Sequence, residues 1–98
     1  RRYQSILTQY RISFNELVDL SPKHDDARER AIEAARQVAA IPHLRDHLTT
    51  KKELPLKELE GLVDVSRKTL ERQRKYIIAV ALILIEDFTH LRHYIRQG

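Results

Sequence analysis

Apolar residues recur at helical spacing along almost the whole of this 98-residue chain. Leu, Ile, Val and Ala return every three or four positions, which is typical of helices with one buried face. The strict apolar–polar alternation that indicates a half-buried strand does not occur over any comparable length. The pattern therefore predicts an all-α fold, a compact helical domain of about six or seven helices without a sheet.

Proline and polar residues divide the first half of the chain into short helices. Ser21-Pro22 interrupts the pattern because the residue before proline disfavours helical backbone. Asp25 and Asp26 are expected to cap the helix that follows, whose apolar face is rich in alanine. The predicted helices cover residues 2–10, 14–20, 27–41 and 43–48.

The second half begins after a polar, basic joint at residues 49–53. We take this joint as the boundary between an N-terminal helical sub-lobe, 1–50, and a second sub-lobe, 51–98, within one compact domain. A helix over 56–63, a short turn at 64–66 and a long helix capped by Ser66 are predicted next. Near Glu86 the long helix is expected to give way to a last one, with apolar residues at helical spacing: Phe88, Leu91, Tyr94 and Ile95.

The long helix changes character in its middle. Its sequence from position 65 reads VSRKTLERQRKYIIAVALILIE, basic at first and then apolar. The apolar run covers the ten residues 76–85, whereas a membrane span needs roughly 20. We therefore expect a buried helix, packed on the 27–41 helix or on the last helix through Ile77, Ala81, Leu82 and Ile85.

The excess positive charge of the chain lies in the basic half of this helix. The formal net charge is +4, and residues 67–75 hold five basic groups against Glu71, while the other basic and acidic groups, 13 of each, cancel. So focused a patch suggests a polyanionic partner. It could also be no more than a solvated helix face.

The helix pair around the turn has the spacing of a helix-turn-helix. Leu59, Val63, Val65 and Leu70 are placed to pack the two helices together, although Glu60 and Asp64 stand where small residues or glycine are usual. Opposite Leu70 lies a basic face suited to the major groove. We expect Arg67 and Lys68 to read bases, Arg72 to touch a base or a phosphate, Arg74 and Lys75 to touch phosphates, and backbone N–H groups at Ser66 to meet a phosphate.

Two stretches resemble the sigma-I alternative sigma factors of Gram-positive bacteria. LPLKELEGLVDVSRKTLERQRKYIIAVALILIEDFTHLRHYI is similar to the C-terminal part of that family, and SFNELVDLSPKHDDAR to the segment ahead of it. The most specific piece is VSRKTLERQRKYI. The resemblance implies a domain similar to sigma region 4, with these positions facing DNA: Ser66, Arg67, Lys68, Glu71, Arg72 and Lys75.

The same resemblance implies the partners. They are promoter DNA, bound at the upstream (−35) element, the RNA polymerase core, and an anti-sigma factor that acts through the cytoplasmic N-terminal domain of a membrane protein. A cytoplasmic location follows. Because the chain begins with Arg1 rather than Met, we expect it to be part of a longer protein. Two alternatives stay open, a helical protein-interaction module and another helix-turn-helix transcription regulator.

Catalytic and metal chemistry are not expected. Cysteine is absent, which excludes disulfides and thiolate ligands. His43 and His47 have the i, i+4 spacing of metal ligands but no third ligand is specified, and the same holds for His90 and His93. Asp25-Asp26 is explained by capping. We therefore expect no enzyme activity, no cofactor and no metal.

Overall fold

Seven α-helices and one 3₁₀ turn make up the computed structural model, which describes the backbone of residues 2–97 and the side chains of residues 2–86. No strand occurs within that range, so the predicted all-α fold is confirmed. The 3₁₀ turn covers Phe14–Glu16. The helices are α1 (Arg2–Gln9), α2 (Leu17–Leu20), α3 (Asp25–Ala40), α4 (Pro42–Lys51), α5 (Leu56–Glu60), α6 (Arg67–Arg72) and α7 (Arg74–Gln97).

The centre of the core is the pair α3 and α7, which makes the most extensive helix contact of the domain. From α3 come small side chains that are at most 1% exposed, including Ala31, Ala34 and Ala35. From α7 come Ile77, Ala81 and Leu82, whose predicted burial is confirmed, whereas Ile85 is half-buried. These small residues of α3 and the larger ones of α7 belong to one buried cluster.

The helix α1 is joined to α7 by apolar packing and by one hydrogen bond. Leu7 of α1 is fully buried in the same cluster as Ile77. The Tyr3 hydroxyl donates to the carbonyl oxygen of Ala79 at 2.8 Å, which satisfies a partly buried polar group. Burial raises the pKa of Tyr3 to about 12, so its phenol stays protonated and able to donate.

Several predicted helix boundaries were wrong by a few residues. His24, not Asp25 or Asp26, is the N-cap of α3, and the two carboxylates lie in its first turn, where they favourably face the positive end of the helix dipole. The helix α4 runs three residues beyond Leu48, to Lys51. Its C-cap is Lys52, whose backbone is left-handed with φ 59°. The helix α5 ends at Glu60, three residues earlier than expected.

The helix α7 continues past Glu86 to Gln97, so the prediction of a separate last helix was also wrong. Neither glycine nor proline stands near Glu86-Asp87, and nothing else there stops a helix. The predicted apolar face of that last helix, Phe88, Leu91, Tyr94 and Ile95, lies outside the described side chains. Within the described residues, no helix is long and apolar enough to cross a membrane.

Candidate nucleic-acid interface

The helices α5 and α6 form the predicted helix-turn-helix. Leu59 of α5 and Leu70 of α6 are fully buried, and Val63 and Val65 of the connection are half-buried against the same core. The connection covers residues 61–66, longer than the three-residue turn that the pattern predicted. The backbone of Asp64 is not left-handed, although glycine is usual at this place, because Arg11 and Lys52 alone have positive φ among the described non-glycine residues.

Ser66 starts α6 as predicted. Its backbone is extended, with φ −67° and ψ 155°, and its Oγ accepts a hydrogen bond from the Thr69 N–H at 3.2 Å. The Ser66 hydroxyl also lies 3.0 Å from the Thr69 Oγ1. An N-cap side chain of this kind satisfies an N–H group that would otherwise lack a partner at the start of the helix. It fixes the residue at which the basic face of α6 begins.

The basic segment and the apolar segment are two helices rather than one. The backbone at Gln73 leaves the helical region, with φ −99° and ψ 9°, and separates α6 from α7. The hydrogen-bond ladder nevertheless continues, since the Gln73 N–H donates to the Thr69 carbonyl at 2.9 Å and the Ile77 N–H to that of Gln73 at 3.0 Å. The two helices are therefore joined by a local bend, and α6 can have a direction of its own.

The outer face of α6 is exposed and mostly cationic. Arg67, Lys68, Glu71 and Arg72 are all exposed, opposite the buried Leu70. Arg67 Nε lies 3.4 Å from Glu71 Oε1, an exposed i, i+4 pair of the kind that adds little to stability. Within the described part of the chain, Lys68 and Arg72 have no ion pair, so their charges remain available for another molecule.

Lys75 points elsewhere. Its Nζ lies 3.0 Å from Glu16 Oε1 in the 3₁₀ turn, and each of the two side chains is 33% exposed. Glu16 also accepts the Ser13 N–H at 2.7 Å, completing a capping box. This backbone hydrogen bond and then the Lys75 ammonium lower the pKa of Glu16. Sequence spacing could not reveal this pair, because 59 positions separate its members.

Two concave surfaces flank α6. On one side Arg72 lines a recess of about 260 Å³ with Arg30 of α3 and Asp64. On the other side Arg67 lines a larger groove, of about 430 Å³, which it shares with Arg74 at the start of α7. The candidate residues therefore do not form a single patch. Lys68 lies on the outer face, and Arg72 lies on that face and lines the recess. Arg67, at the edge of the outer face, lines the groove with Arg74, while Lys75 contacts Glu16.

Comparison with known proteins identifies the family. No protein-family model matches the chain. The RNA polymerase sigma factor SigI of Bacillus subtilis is 49% identical over 94 residues, which are 96% of this chain and 38% of that protein. SigI of Bacillus anthracis is 47% identical over 98% of this chain and 40% of its own length. SigI4 of Acetivibrio thermocellus is 43% identical over 99% of this chain and 35% of its own length.

The chain belongs to the SigI family of RNA polymerase sigma factors. It corresponds to the C-terminal domain of an alternative sigma factor, and it spans about two fifths of the length of the curated relatives it matches. The matches cover nearly the whole chain, and therefore include both the stretch that contains Glu16 and the stretch that contains α6. The resemblance to the sigma-I family, which the sequences of these two stretches indicated, is confirmed.

The histidines of this SigI-family domain do not form a metal site among the described residues. No three histidine, aspartate or glutamate side chains come together there in a way that could hold a metal ion. His43 is exposed, and His47 is half-buried and lines the groove beside α6. The second pair considered, His90 and His93, lies outside the described side chains.

Proposed function

We propose that this domain binds promoter DNA at the −35 element, with α5 and α6 as a helix-turn-helix and α6 as the reading helix. The observation that carries the proposal is the exposed cationic face of α6, held outward because Leu70 is fully buried on its inner side. A reading helix needs one side fixed to the protein and the other free to enter the major groove. Arginine and lysine are the usual partners of guanine there.

The roles proposed for individual residues follow their positions. Arg67 and Lys68, in the first turn of α6, would contact base edges, and Arg72 a base or a phosphate. Arg74 and Lys75 would contact phosphates, and Glu71 would orient Arg67, which lies 3.4 Å away. Ser66 would lie beside the DNA backbone, with its hydroxyl already used to cap α6.

RNA polymerase core is the second proposed partner. The support is the family, since the relatives are named as RNA polymerase sigma factors. Regulation by a membrane-anchored anti-sigma factor, and with it a cytoplasmic location, is proposed on the resemblance alone. Retention of the polymerase core by the tagged chain tests the first of these partnerships. Release of the core by an added anti-sigma cytoplasmic domain tests the second.

DNA binding is tested by selection from a pool of short duplexes with a randomised centre. The proposal expects the chain to enrich one sequence, and the selected duplex to bind more tightly than a permuted duplex of the same composition. Equal recovery of all sequences would contradict sequence reading. It would favour the alternative of a helical protein-interaction module, in which the same cations meet an acidic protein.

A further inference from the structure

The groove beside α6 contains cations from outside the helix-turn-helix pattern. Lys52, at the end of α4, and Lys57, in α5, line it together with Arg67 and Arg74. Two carboxylates, Glu53 and Glu58, also line it, so cations outnumber anions by four to two. The charge pattern along the sequence hides the two lysines, because a glutamate follows each of them, whereas the fold brings them beside two arginines.

Arg67 is paired with Glu71, but the other three cations of the groove have no carboxylate partner among the described residues. Within the described residues, Lys52, Lys57 and Arg74 form no ion pair, although five other basic side chains of the domain do. The Lys52 ammonium instead lies 4.9 Å from the centre of the Tyr10 ring, a cation–π contact. Four cations against two carboxylates leave the groove with a net positive charge, which raises the local potential and attracts an anion.

The position of the lysines is fixed by the fold. Lys52 has a left-handed backbone, φ 59°, which costs energy for a residue other than glycine and turns the chain out of α4. Leu54 and Pro55, which follow, are buried. Lys57 projects from the first turn of α5, while Leu59 of the same helix is fully buried. Both lysines thereby line the groove beside α6.

We propose that this groove binds the phosphate backbone of the DNA strand that borders the major groove entered by α6, with Lys52 and Lys57 as phosphate contacts in addition to Arg74, beside the base-reading Arg67. The inference rests on the proposed function and extends its surface to the joint between α4 and α5. Phosphate contacts carry no sequence information, but they set affinity and the register of the reading helix.

The experiment is a salt series of DNA binding with the folded 98-residue chain and a labelled duplex of mixed sequence. Lys57→Gln and Lys52→Asn each remove one charge, and asparagine tolerates the left-handed backbone at position 52. Lys51→Gln is the matched control, since Lys51 is the exposed neighbour of Lys52 and does not line the groove. Circular dichroism shows that each variant remains helical.

Each groove variant should lower the slope of log affinity against log salt by about 0.9, and the double variant by about 1.8. Affinity for selected and permuted duplexes should fall by the same factor. Lys51→Gln should leave the slope at the wild-type value. Wild-type slopes for both groove variants, or an equal loss in Lys51→Gln, would overturn the inference. Enrichment in the selection experiment is a separate readout, so failure of the groove and failure of sequence reading are distinguishable.

Discussion

Lys75 at the start of α7 and Glu16 in the 3₁₀ turn form an ion pair of 3.0 Å that joins segments 59 positions apart. Glu16 is held from the other side by the Ser13 N–H. The pair attaches the SFNEL stretch, residues 13–17, to the helix that follows α6. Its consequence is that one cation of the basic segment is already partly neutralised within the domain.

The Glu16 carboxylate should make stability depend on pH in the acid range. Its pKa is lowered in the folded domain, by the Ser13 backbone hydrogen bond first and by Lys75 next. A lowered folded pKa contributes stability above the unfolded value of 4.5, and this contribution is lost as pH falls through the folded pKa. In denaturant unfolding, wild type should therefore exceed Glu16→Gln in stability near neutral pH, and the difference should shrink below about pH 4.5.

Glu29→Gln is the control for this series, because Glu29 is exposed and forms no ion pair among the described residues. The difference in unfolding free energy between Glu29→Gln and wild type should stay small at every pH of the series. A Glu16→Gln difference that stayed constant from neutral pH to about pH 3 would show that the carboxylate has the same pKa in both states.

The same substitution should strengthen DNA binding. Glu16 competes with a phosphate for Lys75, so Glu16→Gln should raise affinity for selected and permuted duplexes alike and make the salt slope steeper. The measurement is again a salt series, with Lys75→Ala and the double variant alongside. The effect of Glu16→Gln should disappear in the Lys75→Ala background. An undiminished effect there would mean that Glu16 acts by general repulsion of DNA and not through Lys75.

The core assignment is tested at neighbouring positions of α7. Leu82 is 5% exposed, whereas Ile83 is 42% exposed. Leu82→Ala should lower the free energy of unfolding by roughly 2–5 kcal/mol because it leaves a cavity between packed helices. Ile83→Ala, which removes a side chain of similar size from the surface, should cost well under half as much. Equal losses in chemical denaturation would contradict the orientation of α7.

Sequence periodicity was sufficient to predict that the chain is helical and which face of α7 is buried, because the spacing of apolar residues predicts the burial of Ile77 and Leu82. It could not locate the bend at Gln73. Leu70 and Ile77 are seven positions apart, so the apolar stripe runs through the bend unchanged, and neither glycine nor proline marks it.

The candidate site was predictable only where it is local. Ser66 as N-cap and the exposed Lys68 and Arg72 follow from helix geometry. The Lys75–Glu16 pair and the approach of Lys52 and Lys57 to Arg67 depend on how distant segments meet. Helical spacing carries no information about such contacts, and Glu53 and Glu58 masked the local charge.

The most direct measurement of the central claim, that α6 reads promoter DNA, is the ratio of affinities for the selected and the permuted duplex in Arg67→Ala. An arginine on base edges is worth roughly 1–3 kcal/mol of discrimination, so this ratio should fall about fivefold or more. Lys57→Gln, a phosphate contact by our account, should weaken both duplexes and keep the ratio. If Arg67→Ala, and likewise Lys68→Ala and Arg72→Ala, left the ratio at the wild-type value, α6 would not be the reading helix.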